Sequence, residues 1–168
     1  MPPESILITG GAGYIGSHAV LAFEAAGYPV VVLDDLSTSR RNAVPGHLPF
    51  YQGDAGNGDL VQAIVGDHGV SAVVHFAGSI VVPESVTNPL KYYLNNTCVS
   101  QNLIAACVET GVEHFLFSST AAVYGIPAQN PVAEDAPIAP INPYGTSKLM
   151  TEWILRDCAA VHNFRYRA

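Results

Sequence analysis

Tyr144 and Lys148 stand four residues apart in the run Asn142-Pro-Tyr-Gly-Thr-Ser-Lys148. On a helix that spacing puts both side chains on one face, one turn apart. A free tyrosine titrates near pH ~10, too high for a base at neutral pH, and a neighbouring ammonium favours its phenolate. Each unit of lowering takes about 1.4 kcal/mol of differential interaction. The pair is therefore a candidate for taking a proton from a hydroxyl. Tyr-x-x-x-Lys alone is a common surface pattern and gains meaning from its surroundings. Asn142 suits an N-cap and Pro143 the first helical position, which predicts a helix from Tyr144 to about Val161. Upstream, Ser118-Ser119-Thr120 follows the strand-like run His114–Phe117. At the carboxyl end of a parallel strand such hydroxyls can bond a substrate hydroxyl as it loses its proton; without the Tyr/Lys pair they would read as a polar turn.

A second constellation lies near the N-terminus. The apolar run Ile6–Ile8 leads into Thr9-Gly-Gly-Ala-Gly-Tyr-Ile-Gly16, with Gly10, Gly13 and Gly16 three residues apart. A strand, a glycine turn and a helix start form an anion site, because unpaired N–H groups and the helix dipole favour a pyrophosphate there. A lone glycine pattern is weak, but a second apolar run, Val30–Leu33, ends in Asp34, near the distance for an acid that bonds a dinucleotide's adenosine ribose. The plainer reading of Asp34 is a turn residue at a strand end; the glycines upstream favour the ribose.

These groups must be positioned by a sheet. Strand-like runs fall at 6–9, 30–33, 50–52, 72–75 and 114–117, with helix-like stretches near 14–26, 58–68 and 89–110. Short unbroken apolar strands alternating with helices predict a doubly wound α/β fold, a Rossmann-type parallel sheet covered on both faces. Residues 125–143 carry five prolines and read as an extended loop of the kind that tends to be functional. Phe164-Arg165-Tyr166 reads as the start of a sixth strand, cut short at Ala168. His75 lies in a strand-like run and is expected to be a packed residue.

The chain has 168 residues, 49% of them apolar and 12% charged, which fits one domain with a substantial core. A net charge of −7 without a basic run argues against nucleic acid or an anionic membrane as partner. Met1-Pro-Pro-Glu4 shows no basic leader, and no apolar stretch is long enough to span a bilayer. Cys98, Cys107 and Cys158 lack metal-ligand spacing and read as reduced thiols in a cytoplasmic protein. The six histidines show no ligand pattern, so no metal is expected.

The order of motifs resembles the extended short-chain dehydrogenase/reductase superfamily, and within it the UDP-glucose 4-epimerases, over nearly the whole chain. The motifs are Thr9–His18, Asp34-Asp-Leu-Ser37, Gly53-Asp54, His75-Phe-Ala-Gly78, Pro89–Asn96, Phe117–Gly125 and Asn142–Leu149. His75–Gly78 with Ala121-Ala122 favours the epimerases, since sugar-nucleotide dehydratases typically carry an Asp-Glu pair at the latter position. The resemblance implies NAD as cofactor. Gly10, Gly13, Tyr14, Ile15 and Gly16 would hold its pyrophosphate, and Asp34 its adenosine ribose, with Asp35, Leu36 and Ser37 lining that end. Asp54 and Ala55 would meet the adenine. Phe76, Ala77, Gly78, Ser118 and Asn95 would lie along the cofactor. Thr120 would bind the sugar O4 hydroxyl, Tyr144 would be the base, and Lys148 would anchor the nicotinamide ribose. The implied reaction interconverts UDP-glucose and UDP-galactose through a 4-keto sugar.

Three positions depart from the family pattern. Ile80 stands where many epimerases have lysine, Thr120 where serine is commoner, and Asp35 where asparagine is frequent. Asp34 disfavours the 2′-phosphate of NADP, although Arg40 and Arg41 leave it formally open. The family also carries a C-terminal domain that grips the UDP-sugar. The expectation is that residues 1–168 are the dinucleotide-binding domain with the Tyr/Lys helix, that the substrate domain is absent, and that turnover is impaired. Other readings are an NAD-binding module without turnover, another extended-family enzyme (a dehydratase or decarboxylase), or an unstable fragment. Family members commonly pair as homodimers through the helices near 89–110 and 144–161, where Leu94, Val99, Leu103, Leu149, Trp153 and Ile154 are compatible with an interface or with core packing.

Overall fold

A computed structural model describes residues 5–168; the reading of Met1–Glu4 lies outside them. Six strands form one parallel sheet: β1 (Ser5–Thr9), β2 (Val30–Asp34), β3 (Phe50–Gln52), β4 (Val70–His75), β5 (His114–Phe117) and β6 (Arg165–Arg167). Their order is β3-β2-β1-β4-β5-β6. This is the dinucleotide-fold order, with the reversal of direction beside β1, where ligands bind in such sheets. β1 and β2 are buried along their whole length, as the unbroken apolar runs require.

The side-chain alternation of the strands sorts the core into two clusters. Leu7, Val31, Leu33, Val73, Phe115 and Phe117 pack on α2 (Gly58–His68), α5 (Val99–Glu109) and α6 (Pro143–Val161) through Val61, Ile64, Leu103, Ile104 and Leu155. Ile6, Ile8, Val30, Val32 and Val74 pack on α1 (Tyr14–Ala25) through Val20 and Phe23. Each fully buried aliphatic or phenyl side chain is worth about 1.5–3 kcal/mol. The second face is not covered throughout. Leu116 on β5 is 44% exposed, beside a groove lined by Ile6, Phe23, Leu116, Arg165 and Arg167. The sheet is doubly wound as expected, with this second face open at β5 and β6 among the described residues.

The stretch read as one helix over 89–110 is divided. α4 (Pro89–Tyr92) runs into a π-helical segment, Tyr93–Cys98, and then into α5. A six-residue helix, α3 (Val82–Thr87), precedes it, too short to show a period, and a 3₁₀ turn spans Ala121–Tyr124. Residues 125–142 hold neither helix nor strand, as their prolines predict. The last helix starts as read, with Asn142 Oδ1 accepting the Gly145 N–H at 2.8 Å and Pro143 in its first turn. Leu103 and Leu149, two of the residues compatible with an interface, are buried in the monomer, whereas Leu94 and Trp153 are exposed. Among the described residues no helix is long and apolar enough to cross a membrane, and no group of three His, Cys, Asp or Glu side chains is placed to hold a metal.

Candidate active site

Parallel strands deliver their carboxyl ends to one edge, and each strand there runs one residue further as a ladder bond. Gly10 N–H reaches Leu33 O at 2.8 Å, Gly53 N–H reaches Asp34 O at 3.1 Å, Phe76 N–H reaches Thr9 O at 3.0 Å and Ser118 N–H reaches His75 O at 3.2 Å. The glycine turn, the Asp34 loop, Asp54, residues 76–79 and residues 118–120 therefore start side by side.

The turn after β1 is closed too tightly for side chains. Gly10 has φ +68°, and a Cβ on it would lie 2.5 Å from the Ala77 nitrogen; one on Gly16 would lie 2.1 Å from Gly10 O. Part of the glycine spacing thus serves the turn's own packing on β4. Gly13 caps α1 and has no side chain to bond its first N–H groups, and Tyr14 and Ile15 are exposed. Asp34 is buried at the end of β2. Its Oδ2 accepts the Ala12 N–H at 2.9 Å, and its Oδ1 accepts the Leu36 N–H at 2.9 Å and the Ser39 hydroxyl at 2.6 Å. A carboxylate has about four acceptor positions, so Asp34 both ties the glycine turn to β2 and keeps capacity for another donor. Leu36 takes the left-handed conformation, φ +60°, a strain that the Asp34 bond to its N–H helps hold. Asp35 Oδ1 accepts from Ser37 N and Oγ at 2.9 and 2.7 Å. Asp54 Oδ1 accepts the Gly56 N–H at 2.8 Å, and Ala55 is buried in the core on the α2 side.

Lys148 is almost fully buried. Its Nζ donates to Ser118 O at 2.9 Å and lies 4.7 Å from the centre of the Phe117 ring, a favourable cation–π placement. A Cβ on Gly78 would sit 3.8 Å from Nζ. The ammonium thus joins the β4 edge, next to the glycine turn, to the β5 edge. Burial pulls its pKa down to about 8. Thr120 opens the 3₁₀ turn, and its Oγ1 accepts the Ala122 N–H at 3.1 Å; the hydroxyl proton can still be donated. Tyr144 is half-buried and meets the ring of Tyr92 edge-on at 6.4 Å. Tyr92 is buried, its hydroxyl 2.6 Å from Val81 O and 2.8 Å from Glu84 Oε2, and burial followed by the Glu84 bond pushes its pKa up to about 12.

Several supporting residues escape the sequence reading. Asn95 and Asn96 both reach Ser79, but unequally. Asn95 Nδ2 donates to Ser79 Oγ at 3.1 Å. Asn96 is buried; its Oδ1 accepts the Ser79 N–H at 2.7 Å, and its Nδ2 donates to Ser79 O at 3.0 Å and to Ser147 Oγ at 3.1 Å. The π-helical turn shifts the phase of the helix, so a 3.6-residue period cannot tell the two asparagines apart. His75 is packed, as expected, and also bonded. Thr9 Oγ1 lies 2.6 Å from its Nδ1, and Ser100 Oγ lies 2.9 Å from its Nε2. Ser100 donates its own proton to Asn96 O at 2.5 Å, so Nε2 carries the ring proton and Nδ1 accepts from Thr9. Burial, then the Lys148 charge, lowers the His75 pKa to about 3.

Comparison with known proteins gives this edge a lineage. Residues 6–168 match the family model described as NAD dependent epimerase/dehydratase family. The chain belongs to that family. A UDP-glucose 4-epimerase of Azospirillum brasilense is 57% identical over 160 residues, covering 95% of this chain and 46% of that one. One from Bacillus subtilis is 45% identical, covering 95% of this chain and 49% of its own length. Among solved structures, the UDP-glucose 4-epimerase from Brucella ovis in complex with NAD superposes with a TM-score of 0.94 at 40% identity, over 97% of this chain and 50% of that one. The UDP-Glc/GlcNAc 4-epimerase of Campylobacter jejuni gives 0.92 at 47% identity, over 97% and 51%. The chain thus spans about half the length of the relatives it matches.

Proposed function

We propose that residues 1–168 are the dinucleotide-binding part of a UDP-glucose 4-epimerase, holding NAD and carrying the proton-transfer residues for interconversion of UDP-glucose and UDP-galactose. The observation that carries this reading is the position of Lys148: one buried ammonium, on the helix that carries Tyr144, lies beside Gly78 next to the glycine turn and donates to the Ser118 carbonyl, two residues before the Thr120 hydroxyl. The residues fit the cofactor. Uncapped N–H groups at the start of α1 suit a pyrophosphate. The carboxylate of Asp34 suits ribose hydroxyls and opposes a 2′-phosphate. Tyr14, Ile15, Leu36, Ser37, Asp54, Ala55, Phe76, Gly78 and Asn95 are assigned to the same cofactor.

When bound, NAD supplies the hydride acceptor and donor at the sugar C4. Everything else falls to the chain. Tyr144 removes the proton from the sugar O4 hydroxyl and later returns it. Lys148, fixed by Ser118 O, has two further N–H groups for ribose hydroxyls. Thr120 donates its proton toward O4 while its lone pair is held by Ala122 N–H. The 4-keto sugar must turn over within the site so that its other face is presented. Binding energy from the remote UDP contributes to that orientation. Exposed Leu90, Leu94, Met150 and Trp153 on the segments 89–98 and 143–161 support a homodimer through these helices. Three free thiols support a reducing, cytoplasmic setting.

The test is to denature the purified chain, quantify the NAD released per chain, and then supply UDP-galactose and follow UDP-glucose. Near-stoichiometric NAD with measurable epimerisation supports the whole reading. NAD without epimerisation reduces it to a binding module, a 4-keto-6-deoxy product moves it to a dehydratase, and a chain that takes up no NAD overturns it.

A further inference from the structure

α6 carries a third chemistry-bearing side chain on the stripe of Tyr144 and Lys148. Glu152 follows Lys148 by four residues, so the three stand at i, i+4 and i+8. Two of them grip the same short segment. Lys148 Nζ donates to Ser118 O at 2.9 Å, and Ser119 Oγ donates to the Glu152 carboxylate. The next residue is Thr120. The segment after β5 is therefore fastened to the helix at two consecutive residues, immediately before the hydroxyl assigned to the sugar.

Glu152 has no other evident employment. It is half-buried, and the ion pairs among the described residues are His47–Glu24, Lys91–Glu84 and Arg156–Asp157. A carboxylate partly withdrawn from water without a cation on it is costly unless it accepts strong hydrogen bonds. A hydroxyl-to-carboxylate bond is of the strong, charge-assisted kind. On Thr120 itself, Oγ1 and O receive the Ala122 and Val123 N–H groups at 3.1 and 3.3 Å, so any play at Ser119 passes directly into the turn that aims the Thr120 hydroxyl.

We propose that Glu152 is a positioning residue: through Ser119 it fixes Thr120 relative to Tyr144, making the segment 118–120 and the Tyr/Lys helix one rigid unit. The geometric part stands on its own; the catalytic consequence rests on the function proposed above.

The experiment compares the parent chain with S119A, E152A, E152Q and the double variant S119A/E152A. The readouts are amide hydrogen exchange at Ala122 and Val123 and, where the chain turns over UDP-galactose, kcat and KM separately. Loss of one such hydrogen bond is expected to raise exchange at both amides about ten-fold. S119A and E152A should match, and the double variant should be no worse than either, because both remove the same bond. E152Q keeps an oxygen acceptor and should hold the parent exchange rate, with mid-helix amides of α6 unchanged throughout. Turnover should fall through kcat, with KM and NAD content little altered. Unchanged exchange at Ala122 and Val123 in both single variants would overturn the proposal, as would additive effects or an E152Q as damaging as E152A. A chain that takes up no NAD overturns the function proposed above and leaves the exchange data to decide this one.

Discussion

In the function proposed here Tyr144 moves the proton and Lys148 holds the ribose beside it, and each makes a separable prediction. Tyr144→Phe removes the group proposed to take the O4 proton but keeps the ring against Tyr92. Turnover should fall by roughly 10²–10⁴, with NAD per chain unchanged in the release assay. Lys148 makes a prediction about stability. Its folded pKa, lowered to about 8 by burial, lies below its unfolded value of about 10.4. Between those values the unfolded chain holds the lysine proton and the folded one does not, so the Lys148 contribution to stability rises with pH across roughly 8 to 10.4. Tyr92, Cys107 and Cys158, whose pKa values burial raises, act with the opposite sign in that range, so the test is the difference: the pH slope of the denaturant midpoint of the cofactor-free chain should be lower in Lys148→Met than in the parent. Both residues were legible in the sequence because the Tyr-x-x-x-Lys spacing follows an N-cap and a proline. Glu152 and Ser119 were not, since nothing in a sequence says which of three adjacent hydroxyls after β5 turns toward the helix.

At the level of elements, the site is an alignment of strand ends with one helix, and the start of that helix sets the alignment. Asn142 Oδ1 satisfies the Gly145 N–H, and Gly145 packs so closely that a Cβ there would lie 2.7 Å from Ala122 O. Asn142→Ala should cost about 1 kcal/mol, read as a lower denaturant midpoint. It should also slow turnover where turnover is measurable, because Tyr144 lies in the first turn. The strands and α6 could be read because their signals are local: apolar runs, a cap, a proline. The π-helical turn at Tyr93–Cys98 could not. Its register comes from tertiary bonds, with Asn96 side-chain groups on Ser79 and Ser147 and the Thr97 hydroxyl on Ser147 O at 3.1 Å. The six-residue α3 was missed for a related reason: it is held by its neighbours, with the Tyr92 hydroxyl on Val81 O and Glu84.

Across the whole molecule, one buried polar chain ties these elements together. It runs from Thr9 at the end of β1, through His75 on β4 and Ser100 on α5, to Asn96 O, which also accepts the Thr151 hydroxyl of α6 at 3.1 Å. The chain is complete with His75 neutral: Ser100 has committed its proton, so Nε2–H donates and Nδ1 accepts from Thr9. Protonating Nδ1 would turn the Thr9 hydroxyl round from donor to acceptor and place a buried charge near the Lys148 ammonium. The folded pKa of about 3 therefore lies below the unfolded value of about 6.5. Between these values the unfolded chain binds the extra proton, so His75 favours folding above pH ~6.5 and that contribution is lost as pH falls toward 3. The slope reaches about 1.4 kcal/mol per pH unit for one proton. Glu84, whose pKa is held down mainly by its hydrogen bond with Lys91, adds an acid dependence of the same sign only below its ordinary carboxylate range. The window from 6.5 to 5 thus isolates the histidine. Equilibrium unfolding in denaturant should show stability falling through that window in the parent chain. His75→Gln should be less stable at pH 7, because it breaks the chain of bonds, yet show a slope smaller by close to one proton. Parallel slopes in parent and variant would mean that His75 takes up its proton in the folded protein as readily as in the unfolded one, with both ring nitrogens donating and the Thr9 hydroxyl accepting.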